Sequence, residues 1–153
     1  MEFKICKIKM FCCYRDIIEL PQQLPRFKVL LIGTSMTGKS TFVHNMDYGK
    51  ERKGAPRCTL GVDVRSITLD GEEGKLIADI WDCAGNPKFR GCGRDYWTGA
   101  SHAIIFGTKD NQNHMWYYRC LPKDVRKTQI KDYDQELEDF EERKEWLYRF
   151  LTS

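Results

Sequence analysis

The sequence predicts an α/β fold, a sheet with flanking helices, and three observations predict it. A short aliphatic run, Val29-Leu30-Leu31-Ile32, leads directly into a glycine-rich turn, Gly33 to Lys39, and then into a helical segment. An alternating stretch, Val62 to Leu69, is joined to a second apolar run, Leu76 to Trp81, by the turn-forming Asp70-Gly71-Glu72-Glu73-Gly74. The segment Ala103-Ile104-Ile105-Phe106 is apolar at every position, as an interior parallel strand requires when both of its faces are covered.

Each element follows in chain order. Residues 1–25 read as an extension, with Phe3, Ile5, Ile8 and Met10 in alternation and Pro21 and Pro25 marking a linker. Lys28 to Ile32 is a buried strand and about Lys39 to Met46 a helix. Residues 62–69 and 75–81 form an antiparallel pair, and 103–106 is a further strand. From Ile130 to Leu151 the residues Ile130, Tyr133, Leu137, Phe140, Leu147 and Leu151 follow three-four spacing, broken once by Lys144, which predicts an amphipathic helix docked on the sheet. This divides the chain into an extension (1–25), a phosphate-loop domain (26–110) and a divergent carboxy-terminal region (111–153).

The 153 residues suffice for one core without staples. The net charge of +3 is spread as +6 over residues 1–57, +1 over 58–132 and −4 over 133–153, which is not a nucleic-acid footprint. The longest aliphatic run is far below the ~20 residues of a membrane span, and Lys4, Lys7 and Lys9 break up any leader core. Seven cysteines, odd in number and without a C-x-x-C pair, read as free thiols in a reducing compartment, so an intracellular protein is expected. His44, His102 and His114 stand in no metal-ligand spacing with them.

The chemistry is concentrated in Gly33-Thr34-Ser35-Met36-Thr37-Gly38-Lys39-Ser40, which matches G-x-x-x-x-G-K-[ST] at every fixed position. Backbone N–H groups feeding a helix amino terminus supply donors and a positive dipole end to a polyphosphate. Lys39 is then placed to neutralise the β and γ phosphates, and the Ser40 hydroxyl to ligate Mg²⁺. Asp82, at the end of the strand carrying Trp81, can hold the same metal through water, and Gly85 leaves a backbone N–H for the γ phosphate. Thr59 lies ahead of the second strand, where it can close over the metal.

From Lys28 to Phe106 the chain resembles the Ras-superfamily small GTPases and, among them, Ran. The resemblance is carried by the phosphate loop with its Lys39-Ser40-Thr41-Phe42-Val43 continuation, by Thr59-Leu60-Gly61-Val62-Asp63-Val64, and by Trp81-Asp82-Cys83-Ala84-Gly85-Asn86-Pro87-Lys88-Phe89. It implies GTP and Mg²⁺ as cofactors, with Gly33 to Thr41, Thr59 and Gly85 on the nucleotide and Ser40, Thr59 and Asp82 on the metal. It also implies nuclear transport factors or other GTPase effectors and regulators as partners, in cytoplasm or nucleus.

Three departures qualify the resemblance. The family's water-orienting glutamine falls on Asn86, one methylene shorter, and Pro87 stiffens the same segment, so hydrolysis is expected to be weak. No N-K-x-D or S-A-K base-reading segment occurs downstream, and Thr108-Lys109-Asp110 lacks the spacer residue of a T-K-x-D variant. The 47 residues after Phe106 fall short of the about 59 that two strands, three helices and four loops of average size require. A sheet truncated after about four core strands is therefore expected. An interaction module that competes for the partners of a Ran-type GTPase is the alternative function, and a phosphate-loop ATPase or kinase a third. Phe89, Tyr96 and Trp97 fit either an effector patch or the core.

Overall fold

In the computed structural model the described residues are 23–49, 54, 57–89, 95–107, 113–130 and 139–153. The extension up to residue 22 and Thr108-Lys109-Asp110 lie outside them.

Five strands form one sheet: β1 (Arg26–Gly33), β2 (Val62–Gly71), β3 (Gly74–Cys83), β4 (His102–Phe106) and β5 (Arg126–Ile130), in the spatial order β2-β3-β1-β4-β5. β1 runs parallel to β3 and β4, β4 parallel to β5, and only the β2–β3 hairpin is antiparallel. Helix α1 (Lys39–Tyr48) follows β1, α2 (Asn113–Cys120) precedes β5, and α3 (Phe140–Thr152) ends the chain.

Alternate residues of β1 face opposite layers, as strand geometry dictates. Val29 and Leu31 join Phe42, Met46, Leu69, Ile80, Leu147 and Leu151 in a core beneath α1 and α3. Leu30 and Ile32 join Ala103, Ile105, Trp97, Tyr117 and Leu121 beneath α2 on the other face. Trp97 is thus core, while Tyr96 is half-buried with its ring 6.3 Å from that of Trp81.

β5 goes beyond the about four core strands expected, and it covers the flank of β4 with five paired positions, His102↔Arg126 to Phe106↔Ile130. The terminal helix docks on the sheet as expected but begins at Phe140, because the Asp139 side chain accepts the Phe140 N–H at 2.7 Å and caps it there. Ile130, read as helical, belongs to β5. Residues 131–138 lie outside the described ones.

Candidate functional site

The phosphate loop spans the carboxyl end of β1 and the amino terminus of α1, the edge of a parallel sheet at which ligands characteristically bind. Its first residue must be glycine: Gly33 has φ +149°, and a Cβ there would lie 2.2 Å from the Phe106 carbonyl oxygen on β4. The loop then curls through Met36, a non-glycine residue at φ 66° whose side chain is 84% exposed, and through Gly38 at φ 85°. A left-handed methionine is a strained conformation, held here by the closure of the loop. No side chain caps α1 and its first turn has no acidic residue, which leaves its positive end to an anion.

Lys39 is buried, and its ammonium donates to the Gly33 carbonyl at 3.2 Å, the Thr34 carbonyl at 2.6 Å and Thr37 Oγ1 at 3.3 Å. These bonds seat the cation inside the curl. Burial pulls the Lys39 pKa down, and the nearby Asp82 carboxylate opposes that shift.

One helical step further, Ser40, Thr59 and Asp82 converge. Ser40 Oγ donates to Asp82 Oδ2 at 2.5 Å and lies 3.1 Å from Thr59 Oγ1, while Thr59 Oγ1 donates to the same carboxylate oxygen at 3.3 Å. The sheet register sets this meeting: Asp82 pairs with Leu31 on one side and Asp63 on the other, at the end of β3 nearest the loop. Asp82 is 3% exposed, and among the described residues its Oδ1 has no hydrogen-bond partner. Burial raises its pKa, against hydrogen bonds from Ser40 and Thr59 and the Lys39 charge. Three oxygen donors and an unpartnered buried carboxylate oxygen suit a hard divalent cation such as Mg²⁺, so the residues fit that ion.

Gly85 closes the site from the other side. A Cβ on it would stand 2.4 Å from Ser35 N and from the Thr34 carbonyl carbon, so only a glycine packs this closely against the loop. Its approach is fixed by a backbone bond one residue earlier, from Ala84 N–H to the Gly61 carbonyl at 2.8 Å, which ties the 59–64 and 81–89 segments together. Asn86 does not join the cluster. It is exposed, and its Oδ1 accepts the Lys88 N–H at 3.0 Å over the short 3-10 turn Pro87–Phe89.

Sequence reasoning missed a cleft of about 370 Å³ that opens beside the cluster, between α1, residues 57–60 and β2. His44, four residues after Ser40 and so on the same helical face, lines it. Asp63, opposite Asp82 in the hairpin register, lines it as well.

A parallel sheet flanked by helices, a lysine-bearing phosphate loop at its carboxyl edge and a Ser-Thr-Asp oxygen cluster define a nucleotide-binding domain of the small GTPase class. Residues 28–132 match the family described as Roc (Ras of Complex), domain of DAPkinase, and the chain belongs to that family. It is a GTP-binding, small GTPase-like domain of the Ras superfamily. The match runs past residue 110 and takes in α2 and β5. Among the described residues, no helix is long and apolar enough to cross a membrane.

Proposed function

We propose that this chain is a guanine-nucleotide switch that retains GTP with Mg²⁺ and hydrolyses it slowly. The observation that carries this reading is the convergence of Ser40, Thr59 and Asp82 beside the loop, with one buried carboxylate oxygen that has no partner among the described residues. The loop N–H groups, the α1 amino terminus and Lys39 hold the phosphates, and the Gly85 N–H serves the γ phosphate. Ser40, Thr59 and Asp82 hold the metal, which when bound neutralises charge shared between the β and γ phosphates.

In this reading residues 57–62 and 85–89 respond to the γ phosphate, since Thr59 and Gly85 belong to the site and the Ala84–Gly61 bond links the two segments. Slow turnover rests on Asn86, whose amide oxygen is committed to the Lys88 N–H. Residues 26–110 carry the phosphate and metal contacts, and in the carboxy-terminal region β5 extends the sheet while α2 and α3 cover its faces. The Thr59-Leu60-Gly61-Val62-Asp63-Val64 and Lys88-Phe89 segments support a Ran-like switch, with nuclear transport factors or other GTPase effectors as partners inside the cell.

Titration with fluorescent GTP and ATP analogues, with and without Mg²⁺, against the parent and Lys39→Ala tests this. Micromolar, Mg²⁺-dependent, GTP-selective binding that weakens about a hundredfold in Lys39→Ala is expected from the loss of a buried cation with three loop bonds. Absence of binding to either nucleotide by the parent would leave the partner-competing module as the function.

A further inference from the structure

We propose that a second copy of this chain pairs with the open edge of β2, antiparallel and about a two-fold axis at Val64, so that two five-stranded sheets join into one. The pairing goes beyond the nucleotide-switch reading and does not depend on it.

β2 is the first strand of the sheet and, among the described residues, is hydrogen-bonded to β3 alone. It runs from Val62 to Gly71 without a proline, and its register with β3 is unbroken from Val62↔Cys83 to Gly71↔Gly74, so no bulge turns the edge away. One bond fixes which backbone groups that edge offers. The Ala84 N–H donates to the Gly61 carbonyl at 2.8 Å, and Gly61 stands opposite Ala84 when the register is carried one step past Val62↔Cys83. Opposed residues of an antiparallel pair exchange such bonds at every second position, so Gly61, Asp63, Arg65, Ile67 and Leu69 turn their N–H and C=O groups to β3. Val62, Val64, Ser66 and Thr68 therefore turn theirs to the open edge.

The side chains select one register. A two-fold axis lying between two residues would set outward groups against inward ones, so the axis must fall on a residue. An axis at Asp63 or at Arg65 sets like charges directly opposite, which is unfavourable. Arg65 is the one cation of β2, and Asp63 and Asp70 are its anions. Opposing Arg65 to Asp70 needs an axis between Ile67 and Thr68, which is out of phase. Opposing it to Asp63 needs an axis at Val64, which is in phase, and the pair then occurs twice, once on each side of the axis. The Asp63 side chain is 58% exposed and lies 3.4 Å from Arg65 of its own chain, whose nearer carboxylate is Asp47 at 2.8 Å. Asp63 and Arg65 sit at the closely spaced, non-hydrogen-bonded positions of the new ladder.

The other face of the strand agrees. Val64 is 46% exposed and pairs with the half-buried Trp81 across the β2–β3 ladder. At the axis the two Val64 side chains meet, and Trp81, Val64 and their counterparts in the second copy form one apolar strip, a cross-strand contact of the kind that stabilises sheets. Val62, Val64 and Ser66 supply about six backbone hydrogen bonds across the axis.

Sedimentation equilibrium of the full chain tests the pairing. The parent is expected to form a reversible dimer in the micromolar range. Arg65→Asp sets Asp against Asp and Asp63→Arg sets Arg against Arg, so each alone is expected to weaken the dimer at least about tenfold. An equimolar mixture of the two variants opposes Asp to Arg at every position again and is expected to regain the parental dissociation constant within about threefold. Val64→Pro removes an N–H that faces the edge and not β3, so it is expected to abolish the dimer with the far-ultraviolet circular dichroism unchanged. A parent that stays monomeric up to millimolar concentration would overturn the pairing. If the amides of Val62, Val64 and Ser66 resisted hydrogen exchange in that monomer, the edge would belong to a segment of the same chain. A dimer indifferent to both charge variants, or a mixture no tighter than either variant alone, would also overturn it.

Discussion

The amide oxygen of Asn86 lies 3.0 Å from the backbone nitrogen of Lys88 and accepts its N–H, and the Asn86 carbonyl accepts the Phe89 N–H at 3.0 Å. Asparagine is suited to this local bond because its carbonyl sits one methylene closer to the backbone than glutamine's. Asn86→Gln gives up part of that fit and frees a longer amide to turn toward an attacking water. Single-turnover GTP hydrolysis is expected to rise about tenfold, less than the about 10²–10⁴-fold of a fully positioned acid–base group. Equal rates in Asn86→Gln and parent would show that the residue at 86 does not limit turnover.

Asp82 makes a second, oppositely signed prediction for metal-free and metal-loaded protein. Its carboxyl is buried, its Oδ1 has no partner among the described residues, and burial raises its pKa above the usual carboxylate value. A group whose pKa is raised by folding favours the folded state below the unfolded pKa, and that contribution is lost as pH rises through the folded value. At neutral pH without metal the charge is therefore a cost. Asp82→Asn is expected to be about 1–2 kcal/mol more stable than the parent in chelator at pH 7, with the gap closing on acidification. With nucleotide and Mg²⁺ present the order reverses, because only the parent gains the metal increment. Denaturant unfolding in the two buffers reads both signs.

These positions were legible because their chemistry is written in contiguous residues. Gly33 to Ser40 announce themselves by spacing and Asp82 by its place at the end of an apolar strand, while Thr59 carries a role only through the resemblance. β5 was not legible for a physical reason. Arg126-Lys127-Thr128-Gln129-Ile130 has one large apolar residue, and as the last strand of the sheet, hydrogen-bonded on one side among the described residues, it needs no more. Ile130 also fits the helical spacing of the residues after it, which extended the expected helix backwards. A correcting signal was present in Asp139 and Glu142, the three-residue spacing of a capping box. α2 was hidden differently: Trp116, Tyr117, Cys120 and Leu121 do follow helical spacing, and all four pack in the core beneath it. Their aromatic bulk masked the period.

His102 opens β4 at the sheet edge away from the phosphate loop, between the rings of Phe27 at 5.6 Å and Phe150 at 5.0 Å. Its Nδ1 lies 2.9 Å from Ser101 Oγ, and its buried Nε2 has no partner among the described residues. Burial lowers its pKa, and Arg126, its neighbour across the β4–β5 ladder, lowers it further. A histidine whose folded pKa is depressed contributes stability above the unfolded value of about 6.5, and that contribution is lost as pH falls through it toward the folded value. Stability is therefore expected to decline as pH falls through the unfolded value of about 6.5, with a shallower decline in His102→Gln. Matching slopes for the two proteins would place the pH dependence elsewhere.

Tyr148 of α3 reaches across to the β2–β3 turn, where its hydroxyl oxygen accepts the Glu73 N–H at 3.1 Å. The ring lies flat over Gly71, so close that a Cβ at that position would stand 2.4 Å from ring carbons. The carboxy-terminal helix is thereby locked to the hairpin that carries Asp82, and the only residue type that permits the approach is the one present. Gly71→Ala forces the ring or the helix outward, and overpacking of this kind costs about 1–3 kcal/mol. For a domain of this size that corresponds to a fall in Tm of about 2–12 °C in a reversible melt. Tyr148→Phe keeps the ring and loses one hydrogen bond, at a cost of about 1 kcal/mol. In the double variant Gly71→Ala with Tyr148→Ala the methyl has nothing to strike, so its added cost should vanish. A persistent Gly71→Ala penalty on the Tyr148→Ala background would mean that the turn conformation, rather than the docking of α3, is what requires the glycine.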